Sequence, residues 1–220
     1  APDSLKRIGD CSVKVLKIAN KINEELPQEQ KLIVLFQLFD FVRIDSVEVS
    51  QQEIEFIDTI ADSFHISLEE YNEIKEFVIH DFSNIPNNER ILIVDSESNF
   101  FHPYVKHLEV EAFTGQMRIL FISSANMYFL RYIGQNELYL NGQIILEDRA
   151  YVFNYGSSIR NPQIKPLYYS DIVARYNEER LKSRILFEAK NIEYKFANGK
   201  IGLHNLSFSE ESGRLVGIMG

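Results

Sequence analysis

Apolar residues recur at helical spacing through the first eighty positions: Leu5, Ile8, Val15, Ile18 and Ile22 in one segment, Ile54, Ile57, Ile60, Ala61 and Phe64 in a later one. A three-to-four-residue period lines one face of an α-helix. Ser50-Gln-Gln-Glu53 and Ser67-Leu-Glu-Glu70 have the form of a capping box. In that box the serine oxygen accepts from the backbone N–H three residues on, and the glutamate returns to the serine N–H. Helices are therefore predicted to begin near 51 and 68. Between the periodic segments, Leu32 to Val42 is apolar nearly all round, interrupted by Gln37 and Asp40. A helix of that kind is covered on most sides by its neighbours, so it is the predicted centre of a small bundle.

The helical period stops at Asn84-Ile-Pro-Asn-Asn-Glu89, a turn-rich stretch, and short runs rich in Ile, Val, Tyr and Phe follow. Strands are predicted at 91–95, 107–113, 117–123, 127–133, 137–141, 143–146, 149–155 and 164–169. Thr114-Gly-Gln116 separates two of these runs, and Asn141-Gly142 suits the positive φ angles of a type I′ hairpin turn. Such a series points to a β-sandwich. A charged segment at 170–184 reads as a connecting helix, and strands resume at 185–190, 192–196, 202–208 and 214–219. The expected fold is α+β and multidomain: an all-α bundle at 1–84, a β-rich domain at 88–169, a linker helix at 170–184 and a further β unit at 185–220.

Charge sharpens this picture. The net charge is −9, and residues 1–86 carry 8 basic and 17 acidic side chains against 15 of each in the remainder. An acidic domain repels nucleic-acid phosphate and anionic lipid headgroups, so neither is expected as its partner. The single Cys11 has no internal disulfide partner, and the first residues are charged throughout, unlike a signal peptide. A reducing, cytoplasmic setting is expected. No apolar run approaches the roughly 18 residues of a membrane span.

The tail carries the most specific motif. Ile185 to Gly199, with Asn191 and Phe196, is followed by Leu203-His-Asn-Leu-Ser-Phe208 and by Gly213-Arg-Leu-Val-Gly-Ile-Met-Gly220. This order resembles the opening of an ABC-transporter nucleotide-binding domain. The resemblance implies that Phe196 takes the adenine-stacking place, Asn191 the asparagine of the first strand, Leu203 to Phe208 the second strand, and Gly220 the first glycine of the G-x-x-x-x-G-K-S/T phosphate loop. Such a loop surrounds phosphates with backbone N–H groups while its lysine adds charge and its hydroxyl holds magnesium. The lysine and hydroxyl lie beyond Gly220, so ATP and Mg are expected as cofactors of an intact parent, and neither tight binding nor hydrolysis of ATP from this segment alone.

Phe39-Asp-Phe-Val-Arg-Ile-Asp45, Val49-Ser-Gln-Gln-Glu53, Ile57-Asp-Thr-Ile-Ala61 and His65-Ile-Ser-Leu-Glu69 together resemble the tellurite-resistance TerB-like domain. Asp45, Glu48 and Glu53 are the carboxylates that a divalent cation would use there, although no spacing matches a calcium loop and no metal ligand is assigned. Glu137-Leu-Tyr-Leu-Asn-Gly-Gln143, Arg149-Ala-Tyr-Val-Phe153 and Gly156-Ser-Ser-Ile-Arg160 are similar to the closing strands of a forkhead-associated domain. No serine stands three residues before a histidine, so that resemblance implies a spacer or docking surface rather than phosphopeptide recognition.

The five histidines (65, 80, 102, 107 and 204) show no metal-binding spacing, and surface or hydrogen-bonded roles are expected. No nucleophile elbow or paired catalytic carboxylates appear, and no catalytic residue is assigned. The sequence thus points to an N-terminal regulatory and interaction region of an ABC ATPase. It would bind a protein partner or its own ATPase domain, with a membrane component in the intact parent placing it at the cytoplasmic face. The alternative is a soluble stress-response scaffold or cation-binding module attached to a non-transport ATPase.

Overall fold

A computed structural model describes residue 18 and residues 21–45, 49–177, 186–211 and 217. The chain is α+β and divides into two compact units, Ala1–Arg175 and Tyr176–Gly220. After a short helical stretch at 21–25, the first unit runs α1 (Gln28–Asp45), α2 (Gln51–Ser63), α3 (Leu68–Ile79), β1 (Ile91–Asp95), β2 (Lys106–Glu109), β3 (Gln116–Ile122), β4 (Met127–Ile133), β5 (Tyr139–Leu140), β6 (Gln143–Ile144), β7 (Tyr151–Phe153), β8 (Ser158–Arg160) and β9 (Leu167–Tyr168). α4 (Tyr169–Asn177) follows, and the second unit holds β10 (Leu186–Lys195) and β11 (Ile201–Glu211).

Local chemistry starts the helices where the sequence places them. Ser50 Oγ accepts from Glu53 N at 3.3 Å, and Glu53 Oε2 accepts from Ser50 N at 2.8 Å, a complete capping box. At α3, Ser67 Oγ accepts from Glu70 N at 3.3 Å, but the Glu70 carboxylate meets the Ser67 hydroxyl rather than its backbone N–H. α1 buries Leu32, Leu35, Phe36, Phe39 and Val42 and packs on α2 and α3. Its remaining side leaves Phe41 and Ile44 exposed.

The helices and strands share one hydrophobic core. Phe36 stacks on Phe129 of β4 with ring centroids 3.4 Å apart and meets Phe77 of α3 edge-on. Ile91, Ile93, Leu120, Ile122 and Met127 join the same cluster. The turn at 84–89 therefore marks a change of element type, not an interruption of the core.

The first sheet has the order β2-β1-β3-β4-β7. β1 and β2 are parallel, which the expected run of hairpins does not contain; the chain crosses over through 96–105, and the strand expected at 107–113 ends at Glu109. Beyond it Val110 and Phe113 close a turn. The second sheet has the order β6-β5-β8-β9. Side chains alternate between faces along a strand. Ile91, Ile93, Leu120 and Phe129 face the helices, while Leu92, Val94, Met117, Ile119, Leu130 and Tyr132, on the opposite face, are equally buried. On that face the ring of Tyr169, next to β9, meets Tyr128 and Phe153. Burial, with Tyr169 alongside, pushes the Tyr128 phenol up to about 12.

Two turns depend on their residues. Asn141 and Gly142 have φ of 52° and 86°, the expected type I′ turn between β5 and β6. Gly115 has φ of 94°, and a Cβ there would collide with the Ile133 carbonyl oxygen and with Gly134. Gly115→Ala should cost roughly 1–3 kcal/mol from backbone strain alone, with more from displacing the end of β4; urea denaturation would measure it.

The predicted linker helix begins at Tyr169, where Asp171 Oδ2 accepts from Tyr168 N at 2.9 Å. Residues 178–184 lie outside the described residues, as do Cys11, most of the first helical segment and all of the predicted strand 214–219 except Gly217. The two strands expected at 185–190 and 192–196 are one strand, β10, irregular around Asn191.

Candidate functional site

The second unit is a two-stranded antiparallel hairpin. Phe196 stands where it turns: its N–H donates to Lys200 O at 2.8 Å, and Gly199, with φ of 80°, donates back to Phe196 O at 2.9 Å. Gly202 lies beneath the Phe196 ring. A Cβ on Gly202 would sit 2.6 Å from Phe196 Cε2, closer than real contacts allow, and a tight 3.2 Å from Tyr194 Cδ1. The absent side chain thus seats the ring, which Tyr194 meets edge-on at 5.1 Å. Phe196 remains 51% exposed. Asn191 adopts φ of 49°, a left-handed conformation that asparagine tolerates better than most residues. Its N–H donates to Ser207 Oγ at 2.9 Å, and the Ser207 hydroxyl donates to Asn191 Oδ1 at 3.2 Å, locking the bulge across the hairpin.

Phe187, Ile192, Tyr194, Ile201 and Leu203 are also more than a third exposed. A hairpin with that much uncovered apolar surface is marginal by itself in water. It presents an aromatic ring at its turn. Gly220 and Gly213 lie outside the described residues, so of the two expected cofactor-binding residues the structure positions Phe196.

Of the three acidic candidates, only the Glu53 side chain falls among the described residues. Glu53 has a structural role: its Oε2 takes both the N–H and the hydroxyl of Ser50 to start α2. Asp45 is the last residue of α1, and Glu48 lies outside the described residues. Among the described residues no three His, Cys, Asp or Glu side chains are grouped to hold a metal ion.

A charged layer between the helices and the first sheet was not anticipated from sequence. Arg131 of β4 is 2% exposed and donates to the Phe77 and His80 carbonyls and to Asp148. Arg43 of α1 donates to the other Asp148 oxygen and to the Asp148 carbonyl. Asp40 accepts from Arg43 at 3.3 Å, from Arg149 Nε at 2.8 Å and from Ala150 N at 3.3 Å. Burial lowers the pKa of Arg131, against the pull of Asp148. This network ties α1 and the end of α3 to β4 and the β6–β7 connection. The signal for it lay in the sequence, because Arg118 and Arg131 interrupt otherwise apolar strands. A charge inside such a run is buried and must find partners.

The other polar groups hold structure. His107 Nε2 lies 2.8 Å from Asp95 Oδ1 with Phe100 stacked on the imidazole at 4.4 Å, and the same Asp95 oxygen accepts from Glu97 N. The pair joins β1 to β2. His102 Nδ1 accepts from two backbone N–H groups. Asn141, in the segment similar to forkhead-associated domains, donates to Ser157 Oγ at 3.1 Å and accepts from Ser158 N at 2.9 Å, closing the second sheet.

No protein-family model matches the chain, and comparison with curated proteins returns no relative. Among solved structures the chain is similar to the FHA domain of MEK1, determined in complex with a HOP1 phosphothreonine peptide: identity is 13%, the match covers 37% of this chain and 83% of that one, and the TM-score is 0.26. No helix among the described residues is long and apolar enough to cross a membrane.

Proposed function

We propose that this chain is the N-terminal regulatory and interaction region of an ABC-type ATPase, and that β10 and β11 form the first hairpin of its nucleotide-binding domain. The observation that carries the reading is the hairpin itself, with Phe196 half-exposed over Gly202 and apolar residues uncovered along both strands. A larger sheet would cover those residues, and an exposed ring held in a fixed seat suits stacking on adenine. ATP and Mg are the cofactors of the intact ATPase, whose phosphate loop would begin at Gly220. The chain's first unit supplies the docking surface, either for a protein partner or for the ATPase domain, and a membrane component of the parent would place it at the cytoplasmic face.

Phe196→Ala in the intact ATPase is expected to raise the KM for ATP by roughly two- to tenfold, the equivalent of an aromatic stacking contact, with kcat little changed. Gly202→Val, which dislodges the ring without removing it, should act in the same direction. An unchanged KM in both variants would exclude the stacking role. Deleting residues 1–170 tests the regulatory role separately: identical ATPase activity and partner recovery with and without them would defeat it.

A further inference from the structure

A second feature of the first unit points to a ligand. Where α3 ends and the chain turns toward β1, a cavity of about 520 Å³ opens to solvent, lined by Glu73, Glu76, His80, Asp81, Asn88 and Arg118 together with apolar neighbours. That volume is within the roughly 300–1,000 Å³ usual for small-molecule sites.

Arg118 of β3 is 6% exposed. Its Nε donates to Gln116 Oε1 at 2.7 Å, its Nη2 donates to the Phe82 carbonyl at 2.8 Å, and the guanidinium lies 4.4 Å from the Phe82 ring centroid. Its remaining nitrogen, Nη1, has no acceptor among the described residues, and Arg118 forms no ion pair with any of them. The other arginines nearby are neutralised: Arg131, directly opposite in the strand register, by Asp148, and Arg90 by Glu69 and Glu73. Asp81 acts on Arg118 from beyond ion-pair distance, and burial, with Arg131 adding repulsion, still pushes the pKa of Arg118 down to about 10.

The rim has the opposite sign. Glu73 is engaged by Arg90 at 2.7 Å, but Glu76 and Asp81 are exposed and have no cationic partner within ion-pair distance among the described residues. Asp81 accepts from Ser83 N at 3.0 Å and from the Ser83 hydroxyl, which hold the carboxylate in place. A phosphate dianion would meet repulsion from these two acids. A ligand carrying one carboxylate and one ammonium would satisfy both ends.

We propose that this cavity binds a small zwitterion of the amino-acid class, with the ligand carboxylate on Arg118 and its ammonium group toward Glu76 and Asp81. The site is independent of the nucleotide reading.

The test is calorimetric titration of the 220-residue chain with the twenty free amino acids, acetate and inorganic phosphate, each at millimolar concentration. At least one amino acid is expected to bind more tightly than acetate or phosphate. Arg118→Lys should weaken it about tenfold or more, the loss of a charge-assisted hydrogen-bonded contact. Glu76→Gln and Asp81→Asn lie at exposed positions, so they decide the matter if Arg118→Lys does not fold. Each should weaken the amino acid severalfold without weakening acetate. Absence of amino-acid binding, tighter binding of phosphate, or amino-acid affinity unchanged in the Glu76 and Asp81 variants would overturn the proposal.

Discussion

Asp148→Asn is expected to destabilise the first unit by roughly 3 kcal/mol, the low end of the range for removing one partner of a buried ion pair. Asp148 is the common acceptor for Arg131 and Arg43, which reach its two carboxylate oxygens from β4 and from α1. Asparagine keeps the shape and tolerates the left-handed backbone at this position, where φ is 59°, so the change isolates the charge. Asp40 alone would then face Arg43 and Arg149, and Arg131 would be left buried with only carbonyl acceptors. The Asp148 side chain is 35% exposed, and water screens part of the interaction, which sets the expectation at the low end. Urea unfolding at neutral pH measures the effect. A loss below about 1 kcal/mol, the worth of an exposed pair, would show that solvent and not Asp148 balances Arg131.

Phe36→Ala should cost roughly 3–5 kcal/mol, as truncating a fully buried aromatic side chain does. Its diagnostic value lies in what unfolds with it. Phe36 belongs to α1, yet it stacks on Phe129 of β4 and packs beside Phe77. If helices and strands share one core, helical circular dichroism and tyrosine fluorescence, the available intrinsic probe in a chain without tryptophan, will shift to the same lower midpoint. Two separate transitions, with only the helical one displaced, would mean that the strands are stable without the helices. The companion experiment removes the helices: residues 88–177 expressed alone should remain unfolded or aggregate. Ile91, Ile93, Leu120, Ile122 and Phe129 would then form an exposed apolar face larger than soluble domains usually tolerate.

Both predictions come from a layer of contacts that the sequence pattern only hinted at. The change from helical period to short strands at 84–89 is real, and it invited a division into two domains. The strands themselves argued for closer association. Ile91-Leu-Ile-Val94 and Met127-Tyr-Phe-Leu130 are continuous apolar runs, and strands that read this way are covered on both faces. A sheet with one wet face would have alternated. In this fold one face meets the helices, and the other is buried with the second sheet's side of the unit. Arg118 and Arg131 carried a further hint, since charges inside such runs need partners, but the partners lie 17 residues away at Asp148 and, through backbone carbonyls, at Phe77, His80 and Phe82. Nothing in local spacing predicts those distances.

Strands on either side of Phe196 were legible from their apolar runs, while the place of its ring depends on Gly202, whose lack of a Cβ matters only because the strands pair in this register. Glu53 was legible as a capping residue because the box depends on neighbours three positions apart, and its Oε2 accepts from Ser50 N.

By itself the sequence determined the helix starts at Gln51 and Leu68, the Asn141-Gly142 turn, most of the strand positions and the acidic character of the first third, because each of these depends on neighbours within a few residues. Tertiary structure decided that helices and sheet share one core, that β1 and β2 run parallel, that Asp148 balances Arg131, and that Arg118 lines a cavity. Those outcomes depend on side chains brought together from positions far apart along the chain, and only the packing of the layers sets which of them meet.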